Sequence, residues 1–312
     1  MNKTPFYGGQ AVIEGVMMRG PRYMAVAVRD PAGQIVVHRE ALNGAIYHSP
    51  WARWVFVRGA IALWDTLALG MRTLSFSANV AMGGETEKTA VDESASGFEG
   101  AIWGSMAVAL LAATGLFFLL PVVLSGLVNH ATTSAFMRNL VESIIRLVLI
   151  LGYVIAISFL PDVKRVFGYH GAEHKAVNTF EAGVDLTVPN VRRFTLLHPR
   201  CGTTFLLVVV IISFFVFTVI GRPALPVLLI SRVVLIPVIA GIGYELLRLG
   251  ATYYHVPLVR KLIAPGLAVQ RLTTREPDDS MIETAIAALK SVLEAEGVRP
   301  ASPANPATLP NA

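Results

Sequence analysis

Four long apolar segments dominate the pattern of hydrophobic and polar positions after residue 100. They cover residues 101–128, 144–160, 205–220 and 227–247. A helix of about 20 residues crosses the hydrocarbon core of a bilayer, so the pattern predicts about four transmembrane helices in a membrane domain at 101–250. Pro121 predicts a kink in the first helix, and Arg146 lies near the start of the second, where a long side chain can snorkel to the interface.

The first 48 residues show a different pattern, with short alternating blocks that predict strands at 10–19, 23–29 and 34–39. Gly20-Pro21 and the Asp-Pro-Ala-Gly sequence that ends at Gly33 separate the blocks, and both are turn-type sequences. We therefore predict a small antiparallel β-meander. Three strands need cover on their apolar face, and helices close to the membrane are the expected cover.

Residues 49–82 predict one helix with a broad, Trp-rich apolar face. Arg58 and Asp65 interrupt this face and would be costly in the centre of a bilayer. An amphipathic helix lying in the interface fits this composition, a shallow re-entrant helix is a second possibility, and a helix in the core of the cytoplasmic part is a third. Residues 83–100 are acidic, small and polar, and predict an exposed linker.

The chain after the last apolar segment predicts a cytoplasmic segment at 251–296. Pro277, Asp278 and Asp279 give the acidic first turn expected of a helix, and apolar residues recur at helical spacing from Met281 to Leu293. We expect this amphipathic helix to lie on the cytoplasmic domain. The Pro- and Ala-rich residues 297–312 predict a disordered tail.

Composition agrees with membrane insertion. Hydrophobic residues make up 54% of the 312 residues and charged residues only 15%, whereas soluble domains carry about a quarter charged residues. The first ten residues have one Lys and no apolar core of a signal peptide. The formal net charge of +5 therefore first suggests Lys and Arg retained on the cytoplasmic side.

The distribution of Lys and Arg orients the predicted helices. Nine lie in residues 1–100, six in 162–204 and seven in 248–312, against one each in 129–142 and 221–226. The high counts fall on one side of a four-span arrangement, which should be the cytoplasm. We thus predict an α-helical polytopic protein of the bacterial cytoplasmic membrane, with cytoplasmic helices and β-meander (an α+β arrangement), both termini cytoplasmic, and a cytoplasmic motif loop at 162–204.

The motif loop concentrates metal-binding residue types. His170 and His174 would share one face of a helix, and Glu173 completes the His-x-x-Glu-His spacing of inverted zinc peptidases, in which the Glu acts as general base. A divalent metal ion such as zinc then needs a third ligand. His198 and Cys201 are the main candidates, and Glu181 and Asp185 are weaker ones.

Other roles for these residues remain open. The sole cysteine, Cys201, is a buried thiol, a metal ligand or a nucleophile with His198 or His170 as base, and the whole loop can instead be a hydrogen-bonded polar junction without metal. Arg200 would stabilise an oxyanion or bind an anionic group. Glu14, predicted on the first strand, is either an acid, base or ligand in the wall of the site or an exposed edge residue.

Four motifs together resemble the bacterial YqhQ-like membrane family over about residues 6–295. They start at Gly8 (GGQAVIEGVMMRGP), Tyr169 (YHGAEHK), Leu197 (LHPRCGT) and Gln270 (QRLTTREP). The family is described as predicted metal-dependent enzymes with no established substrate. The resemblance implies a bacterial inner-membrane protein and carries the same His, Glu and Cys residues as the motif loop.

Three functions follow from these observations. The first is a metal-dependent enzyme, most economically a hydrolase, acting at the cytoplasmic membrane surface on an unidentified substrate. The second is a membrane scaffold or assembly factor that uses the motif loop as a docking surface. The third is a transporter subunit, with Arg146, Arg232 and Glu245 along a path in an oligomer. Expected partners are the lipid bilayer and either further copies of the chain or another membrane protein; nucleic acid is not expected, because the basic residues are scattered.

Overall fold

The N-terminal region forms a four-stranded antiparallel sheet. The computed structural model describes residues 7–42, 54, 57–84, 96–128 and 134–298. Within them the strands follow each other in sequence order, as β1 (Gly8–Val12), β2 (Gly15–Arg19), β3 (Tyr23–Arg29) and β4 (Ile35–Ala41). The predicted antiparallel meander is confirmed, but the predicted number of three strands is wrong.

The error lies in residues 10–19, which form a hairpin rather than one strand. Val12 pairs with Gly15, so that Ile13 and Glu14 make the turn, and Glu14 has a positive φ of 51°. Ile13-Glu14 lacks the Gly or Asn that usually marks such a turn, so no local pattern predicts it. Glu14 therefore lies in a turn and not, as predicted, on a strand.

Helices cover both faces of the sheet. Helix α11 (Asp279–Glu296) packs on β2 and β3, and its buried Ile282 and Leu289 share a core with Val16 and Ala25. Alternate residues such as Met17 and Val26 point the other way, towards Leu69 and Val80 of helix α1 (Val57–Ala81). Because side chains alternate along a strand, this two-sided cover explains why β2 and β3 are almost continuously apolar.

Helix α1 joins the sheet to the apolar helices. Its second half lies on the sheet, whereas Gly59 in its first half lies against Gly241 of helix α9 (Ile236–Thr252). Arg58 Nε donates to Glu245 Oε1 at 2.5 Å, so the charge that interrupts the apolar face is paired.

Three described helical segments are long and apolar enough to cross a membrane: Ala107–Leu127, Ala135–Ile157 and Thr203–Ile220. The first comprises parts of α2 (Ser96–Thr114) and α3 (Leu120–Val128) with a π-helical turn, Gly115–Leu119, between them. The others are α4 and α7. Helices α8 (Leu225–Val234) and α9 meet at a bend of 44° and make a fourth candidate if they form one span.

The start of α4 corrects two sequence-based expectations. The helix begins at Ala135, so Glu142 belongs to it and not to a polar loop that ends there. Arg146 does not snorkel to an interface, as predicted, but is fully buried and paired with Glu142 one turn earlier. The ion pair with Glu142 compensates in part for the solvation that the guanidinium would have at an interface.

The predicted motif loop is mostly helical. It consists of α5 (Pro161–Glu181), the short α6 (Val188–Arg192) and the segment that leads to Thr203, the first residue of α7. Helix α5 packs on β1, β2 and α11, and α10 (Pro257–Thr273) packs on α7. The motif residues therefore lie where the sheet meets the apolar helices. Helix α2 begins inside the predicted linker 83–100, and the predicted tail from residue 299 onward lies outside the described residues.

Candidate metal centre

Helix α5 places His170 and His174 side by side, with ring centroids 4.4 Å apart. A backbone carbonyl accepts a hydrogen bond from the Nδ1 of each ring, Thr273 O for His170 at 2.9 Å and Leu196 O for His174 at 2.5 Å. A ring that donates from Nδ1 presents Nε2 as an acceptor, which is the arrangement found in metal-binding histidines.

Cys201 completes a group of three possible metal ligands. Its Sγ lies 3.3 Å from His170 Nε2, and the ligand atoms of His170, His174 and Cys201 all lie within 4.8 Å of one another. In tetrahedral zinc sites, with metal–ligand distances of about 2.0–2.3 Å, ligand atoms are separated by about 3.3–3.7 Å. The three residues, called here the histidine–cysteine group, therefore fit zinc after a contraction of about 1.5 Å at most.

His198 lies beside this group and does not join it. Its ring is 5.6 Å from that of His174, and its Nε2 lies 3.7 Å from a carboxylate oxygen of Glu181 and 3.5 Å from Arg200 Nη2. Burial lowers the pKa of His198, with Glu173 opposing the shift and His170 adding to it. A mostly neutral His198 suits a hydrogen-bonding neighbour of the site better than an additional cation.

The carboxylate of Glu173, in the same region, has one oxygen with a hydrogen-bond partner and one without. Its Oε1 accepts a hydrogen bond from the backbone N–H of Gly9 at 2.9 Å. Its Oε2 and the Nε2 of His174 are buried and have no hydrogen-bond partner in the described part of the chain. Leaving a buried acceptor unsatisfied costs about 1–3 kcal/mol, so a cation or a proton donor that contacts either atom would be stabilising.

Gly9 can bring its backbone N–H to the carboxylate of Glu173 because it has no side chain. A Cβ at this position would lie 2.2 Å from Met17 O and 3.2 Å from the carboxyl carbon of Glu173. The strand can thus bring its N–H to the carboxylate only with glycine at this point.

A cavity of about 670 Å³ opens beside the histidine–cysteine group. The β1–β2 hairpin, α1, α5 and the segment before α7 enclose it, and its walls include His170, Glu173, His198, Arg200 and Cys201. Arg200 pairs with Glu181, and burial lowers the pKa of the guanidinium. The volume is sufficient for a small-molecule substrate.

Two of the predicted candidates lie elsewhere. The carboxylate of Glu14 binds Arg165 at 2.5 Å and accepts a hydrogen bond from the Tyr169 hydroxyl at 3.3 Å, and Glu14 is not in the cavity wall. The Arg165 guanidinium holds the pKa of Glu14 below its usual range. Asp185 precedes α6 and is not a member of the histidine–cysteine group.

The segment at residues 270–275 supports the site and was not predicted to do so. The buried Gln270 side chain bonds the backbone N–H and carbonyl of His198 and the hydroxyl of Thr204, at 2.8–3.0 Å. Gly171 of α5 lies against Arg275, whose carbonyl oxygen would be 2.1 Å from a Cβ on that glycine. The motif at Gln270 that carries the family resemblance was the available signal, but it contains no His or Cys that would have suggested a role at the site.

Comparison with known proteins identifies a family and a relative, but their descriptions name no activity. Residues 54–295 match the family described as "Protein of unknown function (DUF1385)". The chain is 35% identical over 303 residues to the uncharacterized protein YqhQ of Bacillus subtilis (strain 168), and the match covers 94% of each chain. No solved structure matches the chain significantly.

Proposed function

We propose that this chain, which belongs to the DUF1385 family, is a metal-dependent hydrolase of the bacterial cytoplasmic membrane. The three or four apolar spans and the clustering of Lys and Arg in residues 1–100, 162–204 and 248–312 support this location, with the site at the cytoplasmic membrane surface.

The observation that carries the proposal is the geometry of the histidine–cysteine group. Two imidazoles, each oriented by a backbone carbonyl, lie close to one thiol. His198 lies outside this group and has other partners. Three protein ligands with an open fourth position are typical of catalytic zinc sites, whereas structural sites are closed by four. A divalent ion held here would act as a Lewis acid and lower the pKa of water at the open position.

The neighbouring residues take roles that suit hydrolysis. Glu173, next to His174 and held by Gly9, has a free buried oxygen that can accept a proton from water. Arg200 in the cavity wall can bind an anionic part of the substrate or a developing oxyanion. Gln270 fixes the backbone that carries His198 and so keeps Arg200 and Cys201 in place.

A cysteine nucleophile is the second candidate, and one contact favours it. His170 Nε2 lies within hydrogen-bond distance of Cys201 Sγ, and Thr273 O orients the ring from the other side. This is the nucleophile–base–orienter arrangement of covalent catalysis. The transporter hypothesis has less support, since Glu245 pairs with Arg58 rather than with Arg146 or Arg232.

Metal analysis of the purified full-length protein tests the proposal. We expect about one zinc, iron or manganese ion per wild-type chain, and at least a tenfold reduction in a His170→Ala/His174→Ala variant. His255→Ala is the matched control, because His255 follows α9 and contacts Tyr253 outside the group. His198→Ala should also retain the metal. Equal, substoichiometric metal in wild type and the double variant would refute the proposal.

Alkylation of Cys201 separates the two candidates. A bound metal ion should protect the thiol from iodoacetamide, and a chelator should remove that protection. Rapid labelling of metal-free wild type, slowed by His170→Ala but unaffected by zinc, would instead support the cysteine nucleophile.

A further inference from the structure

A second buried polar cluster lies among the apolar helices, towards the opposite end from the histidine–cysteine group. It consists of Glu142 and three arginines, Arg146, Arg222 and Arg232, and is called here the arginine cluster. Ser213 of α7, which contacts it, is ten residues beyond Thr203. At 1.5 Å per residue, the cluster is about 15 Å along the helix from the start of α7.

One carboxylate holds all three guanidinium groups. Glu142 Oε1 accepts from Arg146 Nη2 at 3.0 Å and from Arg232 Nε at 2.9 Å. Its Oε2 accepts from Arg232 Nη2 at 3.0 Å and from Arg222 Nη2 at 2.8 Å. Three positive charges against one negative charge leave the cluster with a formal charge of +2.

Neutral groups satisfy much of the remaining hydrogen-bonding capacity. Arg146 donates to Ser213 Oγ at 2.8 Å and to Phe117 O, in the π-helical turn, at 2.9 Å. Arg222 donates to Asn139 and to Ser125 at 3.3 Å. These contacts fix the arginines but do not reduce the positive charge, which is costly in an apolar surrounding.

One donor is left over. Arg232 is fully buried, its guanidinium carbon lies 3.7 Å from the centre of the Phe217 ring, and its Nη1 has no hydrogen-bond partner among the described residues. Arg222 lies in the short connection between α7 and α8, and its side chain is 14% exposed. Thus a buried unsatisfied donor and a partly exposed arginine belong to the same positively charged cluster.

We propose that the arginine cluster binds a phosphate-bearing anion through Arg222 and Arg232. An anion reduces the excess positive charge and satisfies Arg232 Nη1, and the fork of a guanidinium matches the oxygens of a phosphate group. The anion comes either from a lipid headgroup or from free phosphate, because both present the same oxygens. Arg222 provides the entry, since its side chain is 14% exposed, against 1% for Arg146 and 0% for Arg232.

Binding is measured on full-length protein in nanodiscs of phosphatidylcholine. Inorganic phosphate is added against chloride at equal ionic strength, and phosphatidylglycerol is added to the bilayer in a separate series. We expect at least one of the two to raise the melting temperature of wild type. Arg222→Gln should weaken that binding about tenfold or more, because it removes a charge-assisted contact, and Arg222→Lys should weaken it less.

The matched control is Arg260→Gln, an exposed arginine of α10 that is remote in sequence from the cluster. Loss of binding in Arg222→Gln but not in Arg260→Gln supports the proposal. Competition between phosphate and the lipid identifies a shared site for both sources, whereas binding of phosphatidylglycerol alone identifies the headgroup. Failure of both probes to bind wild type, or equal binding by Arg222→Gln, would overturn the proposal.

Hydrogen–deuterium exchange on wild type decides the question if Arg222→Gln does not fold. The probe that binds should slow exchange in peptides covering residues 139–146 and 221–232, which contain the cluster. Slowed exchange only in other peptides would place the anion elsewhere and overturn the proposal.

Discussion

The histidine–cysteine group and the arginine cluster are two buried polar sites of opposite electrostatic character. In the first, the unsatisfied atoms near the ligands are acceptors, His174 Nε2 and Glu173 Oε2. In the second, the unsatisfied atom is a donor, Arg232 Nη1, within an excess of positive charge. The first site is therefore suited to a cation and the second to an anion.

The two sites use backbone carbonyls in the same way. Thr273 O and Leu196 O fix one nitrogen of each histidine ring, and Phe117 O fixes Nε of Arg146. A carbonyl cannot be removed by side-chain variation, so it orients a functional group without adding charge. The sites differ in the residue that has an unsatisfied atom: His174 is itself oriented by a carbonyl, whereas Arg232 is held by Glu142.

The largest effect is expected from Glu142→Gln. The variant removes the carboxylate that, among the described residues, holds Arg146, Arg222 and Arg232, and breaking a buried ion pair costs about 3–5 kcal/mol. The melting temperature in detergent should fall sharply, while any protein that folds should keep its metal. Glu283→Gln, in the partly exposed pair with Arg29, is the control and should change stability by less than about 1 kcal/mol. Equal melting temperatures for both variants would show that the arginine cluster does not stabilise the fold.

Gly9→Ala should affect the histidine–cysteine group alone. The new Cβ would collide with Met17 O and crowd Glu173, at an expected cost of about 1–3 kcal/mol and with loss of the hydrogen bond to Glu173. Gly8→Ala is a matched control, since nothing lies within 4 Å of its Cβ. Hydrolytic activity should fall in the first variant and not in the second. Anion binding at the arginine cluster should stay unchanged in both variants, and a change there would show that the two sites are not independent.

Gln270→Leu tests whether the histidine–cysteine group needs the hydrogen bonds that Gln270 makes to His198. It leaves the buried backbone groups of His198 without partners, at about 1–3 kcal/mol, and should weaken metal binding measured by competition with a chelator. Gln34→Leu, at an exposed position, should change stability by about 0.5 kcal/mol or less. Unchanged metal affinity in Gln270→Leu would mean that α5 and Cys201 hold their geometry independently.

The smallest effect is expected at Glu14, outside both sites. Because Arg165 lowers the folded-state pKa of Glu14, the pair stabilises the fold above about pH 4.5, and this stabilisation is lost as the pH falls through the lowered pKa. The side chain of Arg165 is 50% exposed, so the contribution should be below about 1 kcal/mol. Urea unfolding of wild type and Glu14→Gln should differ at pH 7 and converge towards pH 3. A difference that grows with acid would contradict the sign of this linkage.

The sequence predicted those parts of the molecule that depend on local pattern. Apolar length predicted the candidate spans, and helical spacing predicted the shared face of His170 and His174. The choice between His198 and Cys201 was not predictable, because Gln270, about 70 residues later, fixes the backbone N–H and carbonyl of His198. The structure brings Cys201 rather than His198 to the pair.

Two further features depended on contacts without a local signal. Glu142 looked like the end of a polar loop because its partners Arg222 and Arg232 are 80 and 90 residues away. The turn at Ile13-Glu14 has no turn-type residue and is instead accompanied by an ion pair from Glu14 to Arg165 on another element. In each case the contact joins residues that are far apart in the sequence, so a local pattern does not reveal it.

The π-helical turn at Gly115–Leu119 sets the rotational phase of the helix that follows it. Leu120 N–H bonds Gly115 O five residues back, so this turn holds one residue more than an α-helical turn would. If this turn were wound as a regular α-helix with the same number of residues, α3 would be rotated by about 100° relative to α2. Ser125 would then turn away from Arg222. The wide turn at Gly115–Leu119 thus absorbs one extra residue and keeps Ser125 on the side of α3 that faces Arg222.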